Sequence, residues 1–443
     1  MRPPHPTLSR SASPAEDPEP VPVYYAAQCN PPPETGPLEG QESADVVVIG
    51  SGYTGLSAAL HLAERGSRVV VLEAKGIGHG ASSRNFGQVV PYLKRGPAEI
   101  ARAFAPATAE RVIARVGEGP ATVFALIDRY AIQCQARRSG LLFAAHSEAG
   151  RRALEARTRF WQARGADVQM HGAEDTARLV GSEHYQACSV DRRGGTINPV
   201  GYARGLAHAA AALGCRLFTH SPALGIERNG TKWLVRTRAG RVTADQAVLA
   251  TNAYTARGLW PGLRESIIPV RGYAMVSAPL GDNLRAGILP GGQPLTDTRR
   301  THSGIRLNAD GCIHASTLGP PLAVGGTPDV ARLDRRIAAL FPLLGRLDWR
   351  HRWAGWIALS RDDYPHLHEL APGLWAGLGY SGRGIAAATL MGEDIAALAA
   401  GLAESGTTFP VTRLKRWWAV PFARPVVGMA MAYNRFRDAL DRP

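Results

Sequence analysis

The sequence predicts an α/β protein, α+β overall, in which a Rossmann-type nucleotide-binding domain is interrupted by segments of a second domain. Three observations predict this fold. The stretch from Asp45 to Gln88 has the strand, glycine and helix order of a dinucleotide-binding unit. A second glycine-rich turn between a buried strand and a helix follows Pro372, far along the chain. The segments between the two turns mix short alternating strands with amphipathic helices.

The dinucleotide-binding unit contains a strand, three glycines, a helix, a second strand and an acid, in that order: Val46 to Ile49, Gly50, Gly52, Gly55, Leu56 to Glu64, Arg68 to Leu72, and Glu73. The continuous apolar run at the start is typical of a parallel strand buried on both faces. The first glycine allows a tight turn, the second lets a pyrophosphate approach the backbone, and the third lets the helix pack closely on the strand. GxGxxG alone also occurs at surface turns, but here every feature follows in the required order.

Glu73 narrows the choice of nucleotide. An acid after the second strand can accept hydrogen bonds from both ribose hydroxyls, and it favours a free 2′-hydroxyl over a 2′-phosphate. This stretch alone does not distinguish NAD from FAD as the cofactor.

Length and composition suit an enzyme of this class. The 443 residues, 45% of them hydrophobic, supply core for roughly two to three domains. No apolar run reaches the roughly twenty residues of a membrane span, and the N-terminal stretch lacks the apolar segment of a secretion signal. We therefore expect a cytoplasmic protein without a transmembrane segment. Residues 1–40, rich in proline, are expected to form a disordered tail.

The formal charge of +14 raises the question of an acidic partner, either nucleic acid or a membrane surface. The arginines are scattered through every segment, and no basic run is interleaved with stacking aromatics. We therefore expect no nucleic-acid partner. The five cysteines are isolated, without zinc-ligand spacing, so we also expect no metal site.

The order of patterns predicts a discontinuous nucleotide-binding domain. We expect that domain at residues 41–96, 195–262 and 351–405, a second domain at 97–194 and 263–350, and a C-terminal docking segment at 406–443. Within residues 97–194, the first segment of the second domain, the composition predicts a helix over 97–130 and a helix from Ala149 to Gly165. Between them, residues 131–145 are expected to form a pair of strands around the turn at Ser139 and Gly140. Asn229 and Gly230 predict a hairpin with a type I′ turn.

The second glycine-rich turn, Gly379 to Gly384, lies between a predicted strand from Pro372 and an alanine-rich helix over Ile385 to Leu402. Two helix N-termini of this kind can serve opposite ends of one long cofactor, such as FAD. The chain's end, from Leu414 to Phe422 and beyond, has the composition of a basic interfacial helix. We favour instead a docked C-terminal helix.

With both turns in hand, the chain resembles the D-amino-acid-oxidase-like family of FAD-dependent oxidoreductases, and most closely its gamma-glutamylputrescine oxidoreductase branch. The likeness runs from Tyr24 to Asp441, and its markers include GSGYTGLSAALHLAERG, VLEA, GASSRNFGQ and GYSGRG. The resemblance implies an FAD-binding domain of glutathione-reductase type with an interleaved antiparallel-sheet substrate domain.

Several positions depart from the pattern of the branch. Ser83, Phe86 and Ser316-Thr317 stand where the branch usually has glycines, and Arg383 replaces a common histidine. Ala386 stands where sarcosine-oxidase-like members carry a lysine that grips the substrate carboxylate. A free α-amino-acid carboxylate is therefore less expected as the substrate group on this side.

The resemblance, together with the two turns, implies a set of FAD-binding residues: Gly50, Gly52, Tyr53, Thr54, Gly55, Glu73, Ala81, Ser82, Ser83, Arg84, Asn85, Gln88, Leu224, Thr251, Asn252, Gly379, Gly382, Arg383, Gly384 and Ile385. The catalytic candidates are Arg383, whose charge would stabilise reduced flavin, and Arg271, which would meet an anionic substrate group. Each is also open to interpretation as an ordinary surface arginine. No catalytic base stands out, and a neutral amine can lose hydride directly to flavin N5.

Three functions follow as hypotheses. The first is an FAD-dependent enzyme that oxidises a C–N bond of an amine or amino-acid derivative, with oxygen as the expected reoxidant. The second is a dehydrogenase of the same fold that passes electrons to a quinone or carrier. The third is a flavin-binding partner subunit without turnover, for which the departures at Ser83, Phe86 and Ser316-Thr317 are the only support.

Overall fold

The computed structural model describes residues 23–301, 303–318, 330–417 and 420–441. Its helices are α1 Val23–Ala26, α2 Tyr53–Glu64, α3 Ala81–Arg84, α4 Pro97–Ala103, α5 Pro106–Arg129, α6 Glu148–Gln162, α7 Ala173–Val180, α8 Pro199–Ala212, α9 Asp282–Arg285, α10 Val330–Leu340, α11 Gly384–Ala399 and α12 Val420–Leu440.

The strands before the middle of the chain are β1 Gly40–Ile49, β2 Val69–Leu72, β3 Gln88–Val89, β4 Leu141–Ala144, β5 Val168–His171, β6 Cys188–Asp191, β7 Gly195–Thr196, β8 Arg216–Phe218, β9 Gly225–Asn229 and β10 Lys232–Arg236. The later strands are β11 Gly240–Leu249, β12 Ile267–Pro279, β13 Leu295–Asp297, β14 Ser303–Leu307, β15 Cys312–Leu318, β16 Trp349–Ser360, β17 His366–Ala371 and β18 Leu374–Leu378. They form two eight-stranded sheets and a two-stranded ribbon.

The first sheet has the order β17-β18-β11-β1-β2-β8, and β10 and β9 extend it from β11. Its four central neighbours β18, β11, β1 and β2 run parallel, with Ile49 opposite Leu249 and Leu72. Because the carboxyl ends of parallel strands meet at one edge, this sheet brings Gly379, Ala250, Gly50 and Glu73 side by side. The sheet thus joins parts of the chain that are more than three hundred residues apart.

Helices α2 and α11 pack against each other on this sheet, and α5 packs on α11. A Cβ on Gly392 would lie 2.5 Å from Cβ of Ser57, so only glycine permits this approach. Residues of α5 such as Val123 and Phe124 belong to the same buried cluster as α2 and α11. Helix α5, which was expected to belong to the second domain, therefore packs with the helices that cover the nucleotide-binding sheet.

The second sheet has the order β16-β12-β15-β14-β13-β4-β6-β5. Its pairs are antiparallel except that of β13 with β4. Strand β16 pairs with β12 along its length, from Trp349 to Ser360. The second sheet therefore extends about ten residues beyond the boundary expected at residue 350.

Local predictions differ from the structure at several places. The helix expected over 97–130 is broken before Pro106, because proline lacks the N–H and pushes the residue before it out of the helical region. The expected strand pair of 131–145 is wrong in its first half: only β4 forms, and Ala131 and Gln135 adopt positive φ. The hairpin of β9 and β10 is present, but its turn residues are Gly230 and Thr231. Only Gly230, at φ +62°, has the positive φ, which is the type II′ pattern.

The expected disordered tail is shorter than residues 1–40. Residues 1–22 lie outside the described residues, but α1 and the chain after it are ordered, because Tyr25 and Leu38 are buried. Tyr25 packs edge-on against Trp353 and His314 of the second sheet. At the other end of the chain, Asp438 of α12 accepts hydrogen bonds from the backbone N–H groups of Arg300 and Thr301, both at 2.9 Å.

Candidate cofactor and substrate site

The first glycine turn leaves no room for side chains. Gly50 has φ +105°, and a Cβ there would lie 2.8 Å from the carbonyl oxygen of Ala250. A Cβ on Gly55 would lie 1.9 Å from the carbonyl oxygen of Gly50, so the close packing expected of helix and strand is present. A Cβ on Gly52 would meet only the Ser82 hydroxyl, at 3.0 Å. The backbone at Gly52 is thus open except for one flexible polar side chain.

Glu73 lies beside this turn. Its Oε2 accepts hydrogen bonds from the backbone N–H of Ser51 at 2.9 Å and from the Ser51 hydroxyl at 2.8 Å. Its Oε1 accepts one from the backbone N–H of Lys75 at 2.9 Å. An ionised carboxylate has about four acceptor positions, so roughly one is left for a ribose hydroxyl. Glu73 therefore also shapes the glycine turn itself.

The loop around α3 folds over the same edge. The Ser82 hydroxyl accepts a hydrogen bond from the backbone N–H of Tyr53 at 3.0 Å, at the start of α2. The Asn85 amide donates to the Tyr53 hydroxyl at 3.1 Å and to the carbonyl of Ser82 at 2.9 Å. Buried Arg84 donates to the carbonyl of Gly80 at 3.0 Å. Asn85 thus fixes the loop, and Ala81 opens α3 within it.

Two polar atoms of this loop point to a ligand. Ser83 Oγ and Gln88 Nε2 are buried, and neither has a hydrogen-bond partner among the described residues. A buried donor without a partner costs about 1–3 kcal/mol, so such atoms usually meet a ligand or water. Both residues belong to the set that the sequence assigned to the cofactor.

The second glycine turn is held beside the first. The backbone N–H of Gly379 donates to Oδ1 of Asn252 at 3.0 Å, and Asn252 adopts φ +45° after β11. Tyr380 and Thr54 share a hydrogen bond between their hydroxyls at 2.5 Å. The start of α11 is therefore fixed to the first turn of α2, and two positive helix ends lie near one another.

The remaining cofactor candidates of these two elements differ in exposure. Gly382 is exposed with φ +88°, Gly384 begins α11, and Ile385 is buried behind it. Thr251 pairs its hydroxyl with Thr255 at 2.7 Å. Leu224 is 60% exposed just before β9, three residues after Ser221.

Arg383 lies at the N-terminal end of α11, half-buried beside two residues that sequence reasoning missed. Its guanidinium is 5.7 Å from the ring centroid of Tyr92, and that of Arg157 is 5.0 Å from the same ring. Burial, together with the charge of Arg157, lowers the pKa of Arg383. The Tyr92 hydroxyl is buried and has no hydrogen-bond partner in the described part of the chain. This cluster of Arg383, Tyr92 and Arg157 is electropositive and offers an unused phenol.

Arg271 lies on β12, with its guanidinium 5.2 Å from the Trp356 ring on neighbouring β16. The turn from Gly379 to Gly384 packs on β16, because the Ser381 N–H donates to the carbonyl of Ala358 at 3.0 Å. Both catalytic candidates therefore lie near the junction of the two sheets. The structure brings each to a different aromatic side chain.

Arg306 and His314, which the sequence analysis did not predict either, lie next to the α3 loop. Arg306 donates to Nδ1 of buried His314 at 3.1 Å, and its guanidinium is 5.3 Å from the ring of Phe86. The Tyr25 hydroxyl donates to the carbonyl of Asn85 at 3.1 Å. Burial and the nearby Arg306 hold the pKa of His314 well below its usual range, so this histidine is neutral.

Two of the other positions that depart from the branch lie beside Gly304 of β14. A Cβ on Gly304 would lie 2.7 Å from the Phe86 ring and 3.0 Å from Ser316 Oγ. Ala386 lies elsewhere, with its Cβ 3.0 Å from the place of a Cβ on Gly119 of α5. The methyl group of Ala386 thus faces a helix interface, which weakens the charge argument drawn from its position.

The residues present fit a dinucleotide. Glycine backbone at the first turn, two adjoining helix N-termini and an acid directly after the second strand lie along one sheet edge. Ser83 in α3 and Gln88 in β3 each carry a buried polar atom without a partner among the described residues. Such an edge, with a second sheet beside it, defines a dinucleotide-dependent oxidoreductase.

The comparisons with known proteins specify the class. The chain belongs to the DAO family of FAD-dependent oxidoreductases, whose match covers residues 45–398. This membership confirms the expected family, the enzyme class and FAD as the cofactor.

Relatives are found at full length. The chain is 33% identical to gamma-glutamylputrescine oxidoreductase of Escherichia coli K12, over 94% of this chain and 98% of that protein. It is 29% identical to the probable oxidoreductase OrdL of Haemophilus influenzae, over 85% of this chain and 88% of the relative. The glycine oxidase structure from Geobacillus kaustophilus aligns with TM-score 0.68 at 23% identity, over 84% of this chain and 99% of that one, which supports the fold alone.

Proposed function

We propose that this protein oxidises a C–N bond of an amine or amino-acid derivative, giving an imine that hydrolyses to a carbonyl compound. The observation that carries the proposal is the meeting of both glycine turns and Glu73 at one sheet edge, in a chain that matches a named gamma-glutamylputrescine oxidoreductase along its length. FAD, held by the residues of the two glycine turns and Glu73, would supply the redox chemistry as the hydride acceptor.

The chain's own residues bind and orient. The backbone at Gly52 and the N-terminus of α2 receive the pyrophosphate, while Glu73 uses its remaining acceptor position for a ribose hydroxyl. Ser83 Oγ and Gln88 Nε2, which have no partner among the described residues, would form hydrogen bonds with the cofactor. The N-terminus of α11 and Arg383 would stabilise the negative charge of the reduced cofactor.

For the substrate, we propose an amine or N-acylated polyamine in preference to sarcosine or a free D-amino acid. Placing an unpaired carboxylate in a closed site costs several kcal/mol unless a cation compensates. Arg383 with Arg157, or Arg271, are the cations that can compensate. The named function of the Escherichia coli relative supports an N-acylated polyamine.

The electron acceptor separates two versions of this function. Oxygen is our first proposal. A quinone or protein carrier is the second, and a relative named D-amino acid dehydrogenase, 23% identical over 72% of this chain, supports it. A partner subunit without turnover is the third, and the departures from the branch at Ser83, Phe86 and Ser316-Thr317 are its support.

One experiment tests all three versions. Purified yellow protein is mixed anaerobically with N-acylated polyamines, free polyamines, sarcosine and D-amino acids, and loss of flavin colour is followed. We expect bleaching by the polyamine derivatives, with kcat/KM at least about tenfold above that for sarcosine. Reoxidation is then timed with oxygen and with a soluble quinone. No bleaching by any compound would support the silent subunit, and a tenfold preference for sarcosine or a D-amino acid would contradict the proposed substrate.

Variants of the two catalytic candidates locate the substrate's charge. If the cluster around Tyr92 binds an anionic group, Arg383→Ala raises KM for acidic substrates more than for neutral amines. Arg271→Ala is the parallel test on the second sheet. Arg152→Ala, whose side chain is 66% exposed on α6, is the matched control and should change neither value.

A further inference from the structure

Helix α12 carries a stripe of exposed apolar side chains in its C-terminal half. Its described exposed apolar residues are Met429, Tyr433, Phe436 and Leu440, which are 63%, 57%, 62% and 58% exposed. At 100° per residue these positions fall within an arc of about 60° and extend over about 16 Å of helix. A surface helix normally buries such a stripe against the core.

The polar side of the helix holds it to the protein instead. Asp438 binds the backbone at Arg300 and Thr301, and Asp441 pairs with the Arg300 guanidinium at 2.5 Å. Gly428 is buried, and the helix packs against β12. The docked C-terminal helix expected from the sequence is therefore present, but with an apolar stripe of its described residues facing outward.

One basic residue lies at the edge of the stripe. Arg437 donates to the Tyr433 hydroxyl at 3.0 Å, which places its guanidinium there, whereas Nε and one terminal nitrogen of Arg435 are buried. Both acids of this end are paired with Arg300. The exposed side chains of Arg413, Lys415 and Arg416 add positive charge to the segment that precedes the helix, at the end away from the stripe. The whole chain carries a formal +14.

We propose that this stripe, comprising Met429, Tyr433, Phe436 and Leu440, docks the protein on an anionic phospholipid surface. An exposed apolar stripe that contains two aromatic rings and has an arginine at its edge is typical of an interfacial helix, and anionic lipid attracts each nearby basic residue. A second copy of the chain fits less well. A stable interface takes about 800 Å² from each partner, and a stripe one side chain wide offers roughly half of that. Two copies of charge +14 also repel each other.

Membrane docking is distinct from membrane spanning. Among the helices of the described residues, none is both long and apolar enough to cross a bilayer. Docking would bring the enzyme to lipid-soluble quinones, so it bears on the second version of the electron acceptor. The binding assay needs no turnover, and its outcome is independent of the proposed substrate.

The test is flotation of the full-length, FAD-loaded protein with vesicles of phosphatidylcholine containing about 30% phosphatidylglycerol. We expect the protein to float with these vesicles, to float much less with pure phosphatidylcholine, and to be released by about 0.5 M salt. The double variant Met429→Ser/Phe436→Ser should bind at least about tenfold more weakly, because two buried apolar contacts are lost. Leu343→Ser, at a residue that is 87% exposed on another surface, is the matched control and should bind like the original protein.

Two results would overturn the proposal. One is equal flotation of the stripe variant and the original protein, or no flotation of either. The other is an oligomer in lipid-free sedimentation velocity that the stripe variant converts to monomer, which would assign the stripe to a second copy. Unchanged FAD content and Tm in the variants show that their fold is intact, since all the substituted side chains are exposed.

Discussion

Single residues at the cofactor edge act mainly by what they leave open. At Gly50 and Gly55 a side chain would collide with backbone, whereas at Gly52 it would meet only the end of the Ser82 side chain. The three glycines of one motif are therefore not equivalent. Substitution at Gly55 should damage the fold, and substitution at Gly52 should damage the ligand site alone.

The first prediction uses this difference. Gly52→Ala should fold but lose FAD on purification, because its methyl group occupies the space of the pyrophosphate. Gly55→Ala should lower Tm as well, because its Cβ would lie 1.9 Å from the Gly50 carbonyl oxygen. The measurements are the flavin-to-protein absorbance ratio and thermal unfolding. Gly76→Ala, with nothing within 4 Å of its Cβ, is the control. Full flavin content in Gly52→Ala would remove this motif from the site.

The second prediction concerns Glu73. Glu73→Ala should weaken FAD binding by roughly 1.5–3 kcal/mol, the value of a hydrogen bond to a charged group. It should also loosen the glycine turn, because Ser51 loses its acceptor. Flavin fluorescence titration gives the affinity, and Glu39→Ala at an exposed position is the control. Equal affinities of the two variants would contradict the role of Glu73.

Helix packing explains why the residue at position 386 departs from the pattern of sarcosine-oxidase-like members. Helix α11 is buried on nearly every side, between α2, α5 and the first sheet. Its contact with α5 is made through small residues, with Ala386 facing Gly119. A long side chain has no room in such an interface, so the alanine is explained by packing before any reference to substrate.

The third prediction follows from this interface. Ala386→Lys, which restores the lysine of sarcosine-oxidase-like members, should destabilise the protein by about 1–3 kcal/mol or more, because it overpacks α5 and buries a charge. We expect no decrease in KM for sarcosine. Urea denaturation and steady-state kinetics check both statements, with Ala400→Lys at the exposed end of the helix as control. A stable variant with improved sarcosine turnover would show that position 386 faces the substrate.

At the scale of the whole molecule, the C-terminal part of the chain is tied back to the nucleotide-binding core. Asp394 of α11 accepts hydrogen bonds from the backbone N–H groups of Thr408 at 2.7 Å and Phe409 at 3.0 Å. The chain then runs beside β17, where the Thr412 N–H donates to the carbonyl of Leu367 at 2.8 Å. A buried carboxyl group thus lies at the point where the last segment leaves α11.

The fourth prediction is a pH dependence from this carboxyl group. Burial raises the pKa of Asp394 from 3.8 to about 7. The folded state therefore binds a proton that the unfolded state releases, and this stabilisation is lost as the pH rises from 3.8 through about 7. Between about pH 5 and pH 8 the loss is roughly 2–3 kcal/mol.

Urea denaturation of the original protein and of Asp394→Asn at both pH values isolates this contribution. The difference between their free energies of unfolding should change by that amount, whatever the cost of the substitution itself. Glu110→Gln, at an exposed residue of α5 paired with Arg164, is the control and should leave the pH dependence unchanged. A constant difference between the original protein and Asp394→Asn would show that Asp394 does not titrate in this range.

The sequence by itself determined the fold class, both glycine turns, Glu73 as the acid after β2 and the FAD-dependent family. These features are local, because strand, turn and helix signals lie within a few residues of one another and follow from backbone geometry. It also predicted that the two turns serve one cofactor. The sheet order supports this by placing β18 and β1 on either side of β11.

Only the tertiary structure decided which distant side chains meet. Tyr92 and Arg157 lie beside Arg383, Phe86 and Ser316 both lie beside Gly304, and Ala386 faces Gly119, although nothing in their spacing along the chain indicates it. The outward apolar face of α12 is decided in the same way, by which face its polar side chains hold against the protein. Packing of elements brought together from separate parts of the chain fixes such contacts, and periodicity within one element carries no information about them.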